Sequence, residues 1–290
     1  MDIILFVLGA ASGSFLGVVA DRYDPERSLF DLKRLGGRSR CASCKKILGA
    51  GELIPLVSFV LQGGRCRGCR TPIPLWCPFV EIVAGLLFVF VPKSLGAHLL
   101  SFFSPLGTAA FAVLAALWIL VFLFLLLISL IDLRLRIIPD ELNVLLVAAG
   151  ILVIALTAGG FGLTSGSFVG SYAALFGLRG NIWGNHAAGL LFGLFFFGSL
   201  VILTRGRGMG MGDVKLAASL GAVFGWPDIV FLVVLAFVVG SVVGFVQIVF
   251  RGKGLKSLLP FGPFLALGAG LIFFFGYDIL GAYFKLFPLP

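Results

Sequence analysis

Charged residues are scarce in this sequence, at 12% of its 290 residues, against about a quarter in average soluble domains. Hydrophobic residues make up 60% of the chain, and the mean hydropathy is +1.13. This balance excludes an ordinary soluble domain and indicates that the lipid bilayer is the main solvent. Several uncharged stretches approach the ~20 residues that a helix needs to cross the hydrocarbon core. The first, residues 3–20, lacks a basic region in front of it, which predicts a retained helix rather than a cleaved signal.

Three kinds of motif that would indicate other functions are also missing. Only two histidines are present, His98 and His186, and both fall in the predicted outer half, where neither zinc binding nor catalysis is expected. No glycine-rich Rossmann fingerprint is present, so residue spacing gives no independent support for a methyl-donor site. Aromatic and basic residues do not alternate as they do in proteins that bind single strands, so no nucleic-acid partner is expected.

The basic residues that are present lie in loops, and their positions predict the topology. Between Asp21 and Pro74 there are 11 Lys and Arg and five acids, so this segment is predicted to face the cytoplasm. Helices are predicted over residues 3–20, 75–92, 108–131, 142–157, 185–204, 214–226, 229–250 and 259–276. With these eight crossings, 19 of the 22 Lys and Arg lie on the cytoplasmic side. Residues 158–184, rich in Gly and Ser, are interpreted either as an outer loop or as a re-entrant segment.

These features predict the fold class and the domain organisation. The expected fold is an all-α polytopic membrane protein of about eight transmembrane helices, with a cytoplasmic zinc-binding loop domain after the first helix. Residues 1–20 form that first helix, residues 21–74 form the loop domain, and residues 75–290 form the larger transmembrane domain.

Four of the five cysteines form two CxxC pairs inside the predicted cytoplasmic loop. The pairs are Cys41 with Cys44 and Cys66 with Cys69, and 21 residues separate them. Disulfides are disfavoured in the reducing cytosol, whereas two CxxC turns suit a tetrahedral zinc site made of four thiolates. All four positions are then filled, which predicts a structural zinc site that folds a loop with few apolar residues of its own. A redox pair or an empty remnant is the alternative, and Cys77 is interpreted as a buried apolar residue.

The chain has only 13 acids, so each can be assessed by its position. Asp132 ends an uninterrupted apolar helix, and Asp213 follows a glycine-rich stretch, residues 208–212. Taken singly, Asp132 fits an interface residue paired with Arg134 or Arg136, and Asp213 fits a helix N-cap. No role is assigned to Asp2, Asp228 or Asp278. A structural role at a helix start is assigned to Asp140 and Glu141.

The predicted topology places Asp132 and Asp213 on different helices, at the same depth and on the same cytoplasmic face. Two carboxylates that meet there form a hydrolytic dyad, in which one holds a proton while the other activates water. Gly210 and Gly212 remove side chains from the approach to Asp213, so a peptide backbone can come close. Glu81 lies about two turns into the second helix, where an ionisable group is costly and indicates a function or a buried partner.

Several blocks of residues, in order along nearly the whole chain, resemble the bacterial type IV prepilin peptidases, the GxGD aspartic proteases of pilus and type II secretion systems. The blocks are residues 13–16 with Val18, Val19 and Arg22, the double CxxC with Ile54, Pro55, Ser58 and residues 64–67, residues 78–81, residues 132–140, residues 209–216, and residues 260–264.

This resemblance implies cleavage of a prepilin or pseudopilin after a short basic leader, in the bacterial cytoplasmic (inner) membrane, with active site and zinc loop facing the cytoplasm. Asp132 and Asp213 match the catalytic positions, which makes residues 75–290 a transmembrane aspartic peptidase domain. The residues expected to bind substrate are Gly210, Gly212, Lys215 and Glu81. Many members also methylate the new N-terminal amine with S-adenosylmethionine. Two departures from the family pattern bear on that second activity. Gly17 stands where the family usually has Asn, and Trp76-Cys77 stands where it usually has Arg-Tyr.

Two other function classes are compatible with parts of the sequence. A transporter or ion channel is the main alternative, because intramembrane acids and glycine-rich helix breaks also mark ion pathways. Transport acids tend to lie near the bilayer midplane, however, whereas Asp132 and Asp213 are predicted at the cytoplasmic edge. A membrane-bound zinc module that only assembles partners is the second alternative. The oligomeric state is not predicted.

Overall fold

A computed structural model of the chain describes residues 1–29, 31, 36–100, 108–158, 167–173, 181–206, 208–251 and 259–286. These residues form nine α-helices and no β-strand beyond isolated bridges, so the predicted all-α fold is confirmed. The helices are α1 Asp2–Arg22, α2 Val57–Leu61, α3 Trp76–Leu100, α4 Thr108–Leu135, α5 Asp140–Ala158, α6 Ile182–Leu203, α7 Met211–Phe224, α8 Asp228–Arg251 and α9 Gly262–Leu286. Two 3-10 turns, Ala50–Glu52 and Gly170–Tyr172, complete them.

Seven helices are long and apolar enough to cross a membrane: α1, α3, α4, α5, α6, α8 and α9. The chain is therefore a multi-pass membrane protein. The crossing predicted over 214–226 corresponds to α7, whose 14 residues measure only about 21 Å. Even so, the contacts at the two ends of α7 reach opposite ends of the helix bundle. Lys215, the fifth residue of α7, bonds Asp140 at the start of α5. Asp228, just beyond the end of α7, bonds Phe168, which follows α5 in the chain.

The chain divides into two compact units, Met1–Lys93 and Ser94–Pro290. In the first unit, α1 packs against α3 through Gly9 and Gly13. A Cβ atom at these positions would lie 2.5 Å from the Ala84 carbonyl oxygen and 2.7 Å from that of Val80. Glycines four residues apart thus let the two helix backbones touch, as is common between membrane helices. The predicted boundaries at residues 20 and 74 stay predictions.

In the second unit, α6 and α7 make the closest contact between helices. A Cβ at Gly189 would lie 2.5 Å from the Gly221 carbonyl oxygen, and one at Gly193 would lie 2.4 Å from that of Ala217. Most of α7 is buried, including Leu216 and Leu220, which have no exposed surface. The helix that carries Asp213 is consequently fixed over most of its length by its neighbours.

The end of this bundle away from Asp213 is held by a buried acid. Asp228 has no exposed surface, and its carboxylate accepts hydrogen bonds from the Ser167 hydroxyl and from the Phe168 amide at 2.8 Å. The expectation that Asp228 has no role is therefore wrong, because its side chain fixes part of the 158–184 segment. Among the described residues of this segment, Gly170–Tyr172 form a 3-10 turn, and α6 begins at Ile182. A crossing or re-entrant path through 159–166 and 174–180 lies outside the described residues.

Six of the basic residues used to predict the topology also lie outside the described residues. They are Lys33, Arg34, Arg179, Arg207, Lys253 and Lys256.

Candidate active site and metal centre

Asp132 lies in the last turn of α4, which continues to Leu135 rather than ending near the acid. The side chain is only 4% exposed. Its Oδ2 accepts a hydrogen bond of 3.0 Å from the amide of Gly262, the first residue of α9. A Cβ at position 262 would lie 2.7 Å from that same oxygen, so only glycine fits against the carboxylate. The start of α9 therefore forms one wall of the site around Asp132.

Asp213 lies in the first turn of α7 and is half-buried. Its Oδ2 accepts a hydrogen bond of 3.2 Å from the amide of Gly210, the residue just before the helix. The N-cap of this helix is Gly210, so the expected N-cap position of Asp213 is wrong. From the first turn, the Asp213 carboxylate still satisfies a free amide and complements the helix dipole. Capping and catalysis are compatible because one carboxylate oxygen makes the cap.

The fold brings the two aspartates together although 80 residues separate them in the chain. Asp132 is near enough to Asp213 for the two carboxylates to interact electrostatically. The start of α7 also packs on the segment that links α4 to α5. A Cβ at Gly212 would lie 3.2 Å from the Cβ of Ile138. The two acids therefore lie at the same end of the bundle, close enough for the charge of Asp132 to act on Asp213.

The residues expected to bind substrate occupy different positions. Gly210 and Gly212 flank Asp213, and the nearest side-chain atom to a Cβ at Gly210 would be Asp213 Oδ2, at 3.8 Å. Lys215 donates hydrogen bonds of 2.8 Å to both carboxylate oxygens of Asp140. Asp140 thus has a partner on α7 besides its place at the start of α5.

Glu81 belongs to the Met1–Lys93 unit. Its Oε2 accepts a hydrogen bond of 2.8 Å from the amide of Leu56, which precedes the short helix α2. The partner expected for this intramembrane acid is therefore a backbone amide of the loop domain. A part in substrate binding stays a prediction.

The two CxxC segments fold as near copies of each other. The Cys41 amide bonds the Lys46 carbonyl, and the Lys45 amide bonds the Cys41 carbonyl. The same two bonds recur from Cys66 to Thr71 and from Arg70 to Cys66. Lys45 and Arg70 both have φ near +57°, at 58° and 57°. Each turn therefore presents its two thiols from one tight loop.

The four sulfur atoms converge on one point. All lie within 4.8 Å of one another, with Cys41 Sγ 3.8 Å from Cys69 Sγ and Cys44 Sγ 4.0 Å from Cys66 Sγ. Zn–S bonds of about 2.3 Å in a tetrahedron put sulfur atoms about 3.8 Å apart. These spacings are too long for disulfides, so the cluster fits one tetrahedral metal ion.

Hydrogen bonds already favour thiolates at two of these cysteines. The Thr71 hydroxyl and amide lower the pKa of Cys69 to about 6. Amides of Cys44 and Ser43 lower the pKa of Cys41. At Cys44 the Lys46 amide also acts to lower the pKa, but burial and the neighbouring thiols raise it to about 11. Four thiols this close cannot all ionise alone, and a divalent cation would remove that conflict.

Two contributors were not identified from the sequence. Gly262 was noted only within its block of residues, although a glycine between Phe261 and Pro263 was a signal of close backbone approach. The Gly189 and Gly193 pair carried a four-residue spacing typical of tight membrane-helix contacts. His186, which the sequence places in the outer half, has Nδ1 2.9 Å from the Ala222 carbonyl oxygen on α7.

Comparison with known proteins finds two family matches and several relatives. The family model of the bacterial peptidase A24 N-terminal domain matches residues 7–94, and that of the type IV leader peptidase family matches residues 119–245. The chain is 35% identical to a prepilin leader peptidase/N-methyltransferase of Burkholderia pseudomallei (strain 1026b), over 95% of this chain and 86% of the relative. The chain belongs to the type IV leader peptidase family.

Further relatives of this peptidase family carry the same name. A protein of Aeromonas hydrophila is 30% identical over 95% of this chain and 91% of its own length. One of Legionella pneumophila is 30% identical over 85% of this chain and 75% of its own. No solved structure matches. The first family match nearly coincides with the Met1–Lys93 unit, and the second contains both Asp132 and Asp213. The chain is a protease, and the comparisons give no support to the transporter alternative.

Proposed function

We propose that this protein is an aspartic endopeptidase of the bacterial inner membrane that removes the basic leader from type IV prepilins or pseudopilins. Asp132 and Asp213 are its catalytic residues. The observation that supports the proposal is the electrostatic proximity of these two carboxylates in a chain of a peptidase family. The names of the relatives supply the class of substrate.

The chemistry follows from a pair that holds one proton. The ionised carboxylate takes a proton from water as the hydroxide attacks the scissile carbonyl carbon, while the protonated carboxyl donates its proton to the carbonyl oxygen. When the C–N bond breaks, the first carboxyl protonates the leaving amine, and the new carboxyl group returns a proton to the second. The pair thereby recovers its single proton.

The hydrogen bonds suggest which oxygens do this work. The amides of Gly262 and Gly210 bond Oδ2 of Asp132 and of Asp213, respectively. We assign Oδ1 of each carboxylate to water and substrate. Gly210 and Gly212, which carry no side chain, leave room for the peptide backbone beside Asp213.

Zinc is the metal proposed for the four-cysteine cluster. Cys41, Cys44, Cys66 and Cys69 would hold it and fill its tetrahedral coordination, so its contribution is to fold the loop rather than to activate water. Metal analysis of the purified protein should find zinc in a one-to-one ratio, and its absence would contradict this assignment.

The charge pattern supports an orientation with the dyad and the zinc loop in the cytoplasm. The prepilin then lies with its apolar segment in the bilayer and its basic leader in the cytoplasm, so the scissile bond reaches the interface. The basic loop does not attract a basic leader, and we assign that attraction to the acidic dyad and to lipid headgroups.

Methylation of the new N-terminal amine is the second activity proposed. It rests on the names of the relatives, which include N-methyltransferase and which match this chain through its N-terminal unit. S-adenosylmethionine would be the methyl donor.

One experiment tests both activities. The purified protein, reconstituted in lipid vesicles, is incubated with a prepilin, with and without S-adenosylmethionine, and the product mass is measured. Leader removal in both conditions, plus one methyl group when the donor is present, is expected. Failure to cleave would contradict the peptidase proposal, whereas cleavage without the methyl increment would limit the protein to proteolysis.

A further inference from the structure

The loop domain exposes a run of large apolar side chains just before its second CxxC turn. We name residues 53–61, which include α2, the apolar segment. Its exposed members are Leu53, Ile54, Val57, Val60 and Leu61, of which Val60 and Leu61 are 74% and 70% exposed. Soluble surfaces rarely carry so many adjacent apolar side chains unless something covers them.

The apolar segment is joined rigidly to the second CxxC turn. Phe59 turns back into the loop domain, and a Cβ at Gly64 would lie 3.1 Å from its ring. The Gly64 amide bonds the Phe59 carbonyl, and the Ile73 amide bonds the Gly64 carbonyl. Gly63 and Gly64 both have positive φ, so the chain reverses at once after α2. The segment is therefore a fixed projection of the metal-binding fold.

The apolar segment is also tied to a membrane helix. Glu81, the sixth residue of α3, accepts the Leu56 amide, about 7.5 Å along that helix from Trp76. Leu56 has φ of 61°, a conformation unfavourable for leucine, which this bond helps to hold. With the membrane entry of α3 taken at Trp76, where its apolar span begins, Leu56 lies at about the depth of the membrane interface.

Exposed arginines follow the apolar segment, in and beside the second CxxC turn. Arg65, Arg67 and Arg70 are all exposed, and each lies within nine residues of Leu61. An apolar projection with cationic neighbours at interface depth is the arrangement that inserts between acyl chains and attracts anionic headgroups. We propose that the apolar segment is a membrane-docking surface, with Val60 and Leu61 inserted into the bilayer and the three arginines at anionic lipid headgroups.

Photocrosslinking of the full-length protein tests what covers this surface. The photoreactive residue p-benzoylphenylalanine replaces Val60 or Leu61, and the protein is reconstituted in vesicles of phosphatidylethanolamine and phosphatidylglycerol. Ile82, exposed on α3, is the positive control, and Ala42, exposed in the first CxxC turn, is the negative control. Lipid-mass adducts are expected at 60, 61 and 82 but not at 42. Adducts at 82 alone, or polypeptide adducts at 60 or 61, would overturn the proposal.

Lipid composition tests the arginines. Adduct yield at Val60 should fall severalfold when phosphatidylglycerol is replaced by phosphatidylcholine, because the headgroup attraction is lost. The triple variant Arg65→Gln, Arg67→Gln, Arg70→Gln should show a low yield in both lipids. An unchanged yield on either change would overturn the assignment of these arginines to anionic headgroups.

A double substitution tests the docking without a crosslinker. Val60→Ser with Leu61→Ser should let the loop domain lift from the bilayer and be cut by protease about tenfold faster, since two apolar side chains lose their burial in lipid. Metal content should stay at the wild-type level, which separates undocking from unfolding. Ala42→Ser should change neither quantity. An unchanged cutting rate with full metal content would contradict the docking.

Discussion

The two candidate sites of this protein are built in opposite ways. The four cysteines of the Met1–Lys93 unit come from two short turns with matching backbone hydrogen bonds, so each half of the site is local. The two aspartates of the Ser94–Pro290 unit come from helices far apart in sequence, and several helices must pack correctly before the charge of one acts on the other. A local site is readable from residue spacing, whereas an assembled site depends on packing that spacing does not record.

The difference extends to what stabilises each site. Three of the cysteines are at least partly exposed, so a metal ion rather than burial would hold their loop together. Asp132 is instead held among buried helices and by an amide from α9. Substitutions can therefore damage one site while leaving the other intact.

The largest effect on cleavage should come from replacing either aspartate, because each is proposed to transfer a proton. Asp132→Asn or Asp213→Asn should lower the cleavage rate of a prepilin by about a thousandfold or more, since general acid and base catalysis are both lost. Bound metal and membrane insertion should be unchanged. The rate is measured by following the cleaved product on gels. A variant that keeps near wild-type cleavage removes that residue from the mechanism.

A smaller loss of cleavage rate should follow when the glycine packed against Asp132 is replaced. Gly262→Ala places a methyl group 2.7 Å from Oδ2, and a carboxylate displaced by about 1 Å should cost roughly a hundredfold in kcat. Gly270→Ala, on the same helix with nothing within 4 Å of its Cβ, is the matched control and should keep full activity. Equal kcat values for the two variants would show that the Gly262 contact does not position Asp132.

Loss of the metal should affect the other unit alone. Cys44→Ser should abolish stoichiometric zinc and speed protease cutting within residues 21–74 by roughly tenfold or more, because metal binding supplies the folding free energy of the loop. Cys77→Ser, outside the cluster, should retain the metal. Thermal unfolding of the helices from Ser94 onward should not change. A zinc-free variant with a protease-resistant loop would contradict the structural role.

The contact between α6 and α7 should tolerate little bulk. Gly193→Leu forces the helix that carries Asp213 away from its neighbour, and overpacking of this kind costs about 1–3 kcal/mol or more. Its Tm and cleavage rate should both fall. Gly198→Leu, also on α6 but with open space around its Cβ, should do neither. Matching Tm values for the two variants would argue against packing as the support of the dyad.

The smallest effect concerns the ion pair between Lys215 and Asp140, whose side chains are 48% and 66% exposed. Exposed pairs contribute about 1 kcal/mol or less, so Lys215→Gln and Asp140→Asn should each lower kcat/KM by less than about fivefold. Steady-state kinetics should show similar changes for both. A rise in KM confined to Lys215→Gln would assign Lys215 to the substrate instead.

What could be predicted from the sequence follows the same division. The CxxC spacing predicted one cluster of four thiols, and the apolar runs with loop charges predicted nearly every helix. The pairing of Asp132 with Asp213 could be predicted only as a shared depth, because depth follows from topology while lateral position does not. The Gly262 amide, the Lys215 partner and the bond from Leu56 to Glu81 each join residues 25 or more positions apart. No local pattern specifies such contacts.

The helix between Asp213 and the buried Asp228 also bears on how a membrane protein can hold ionisable groups without conducting protons. After Lys215, α7 carries no ionisable side chain, and its far end is covered by an aromatic cluster of Trp118, Phe168, Phe224 and Phe273. A chain of acids across the bilayer would conduct protons and dissipate the membrane potential. Along α7 itself, the ionisable side chains are confined to the end that carries Asp213 and Lys215. The rest of this helix thus acts as an electrical insulator as well as a scaffold.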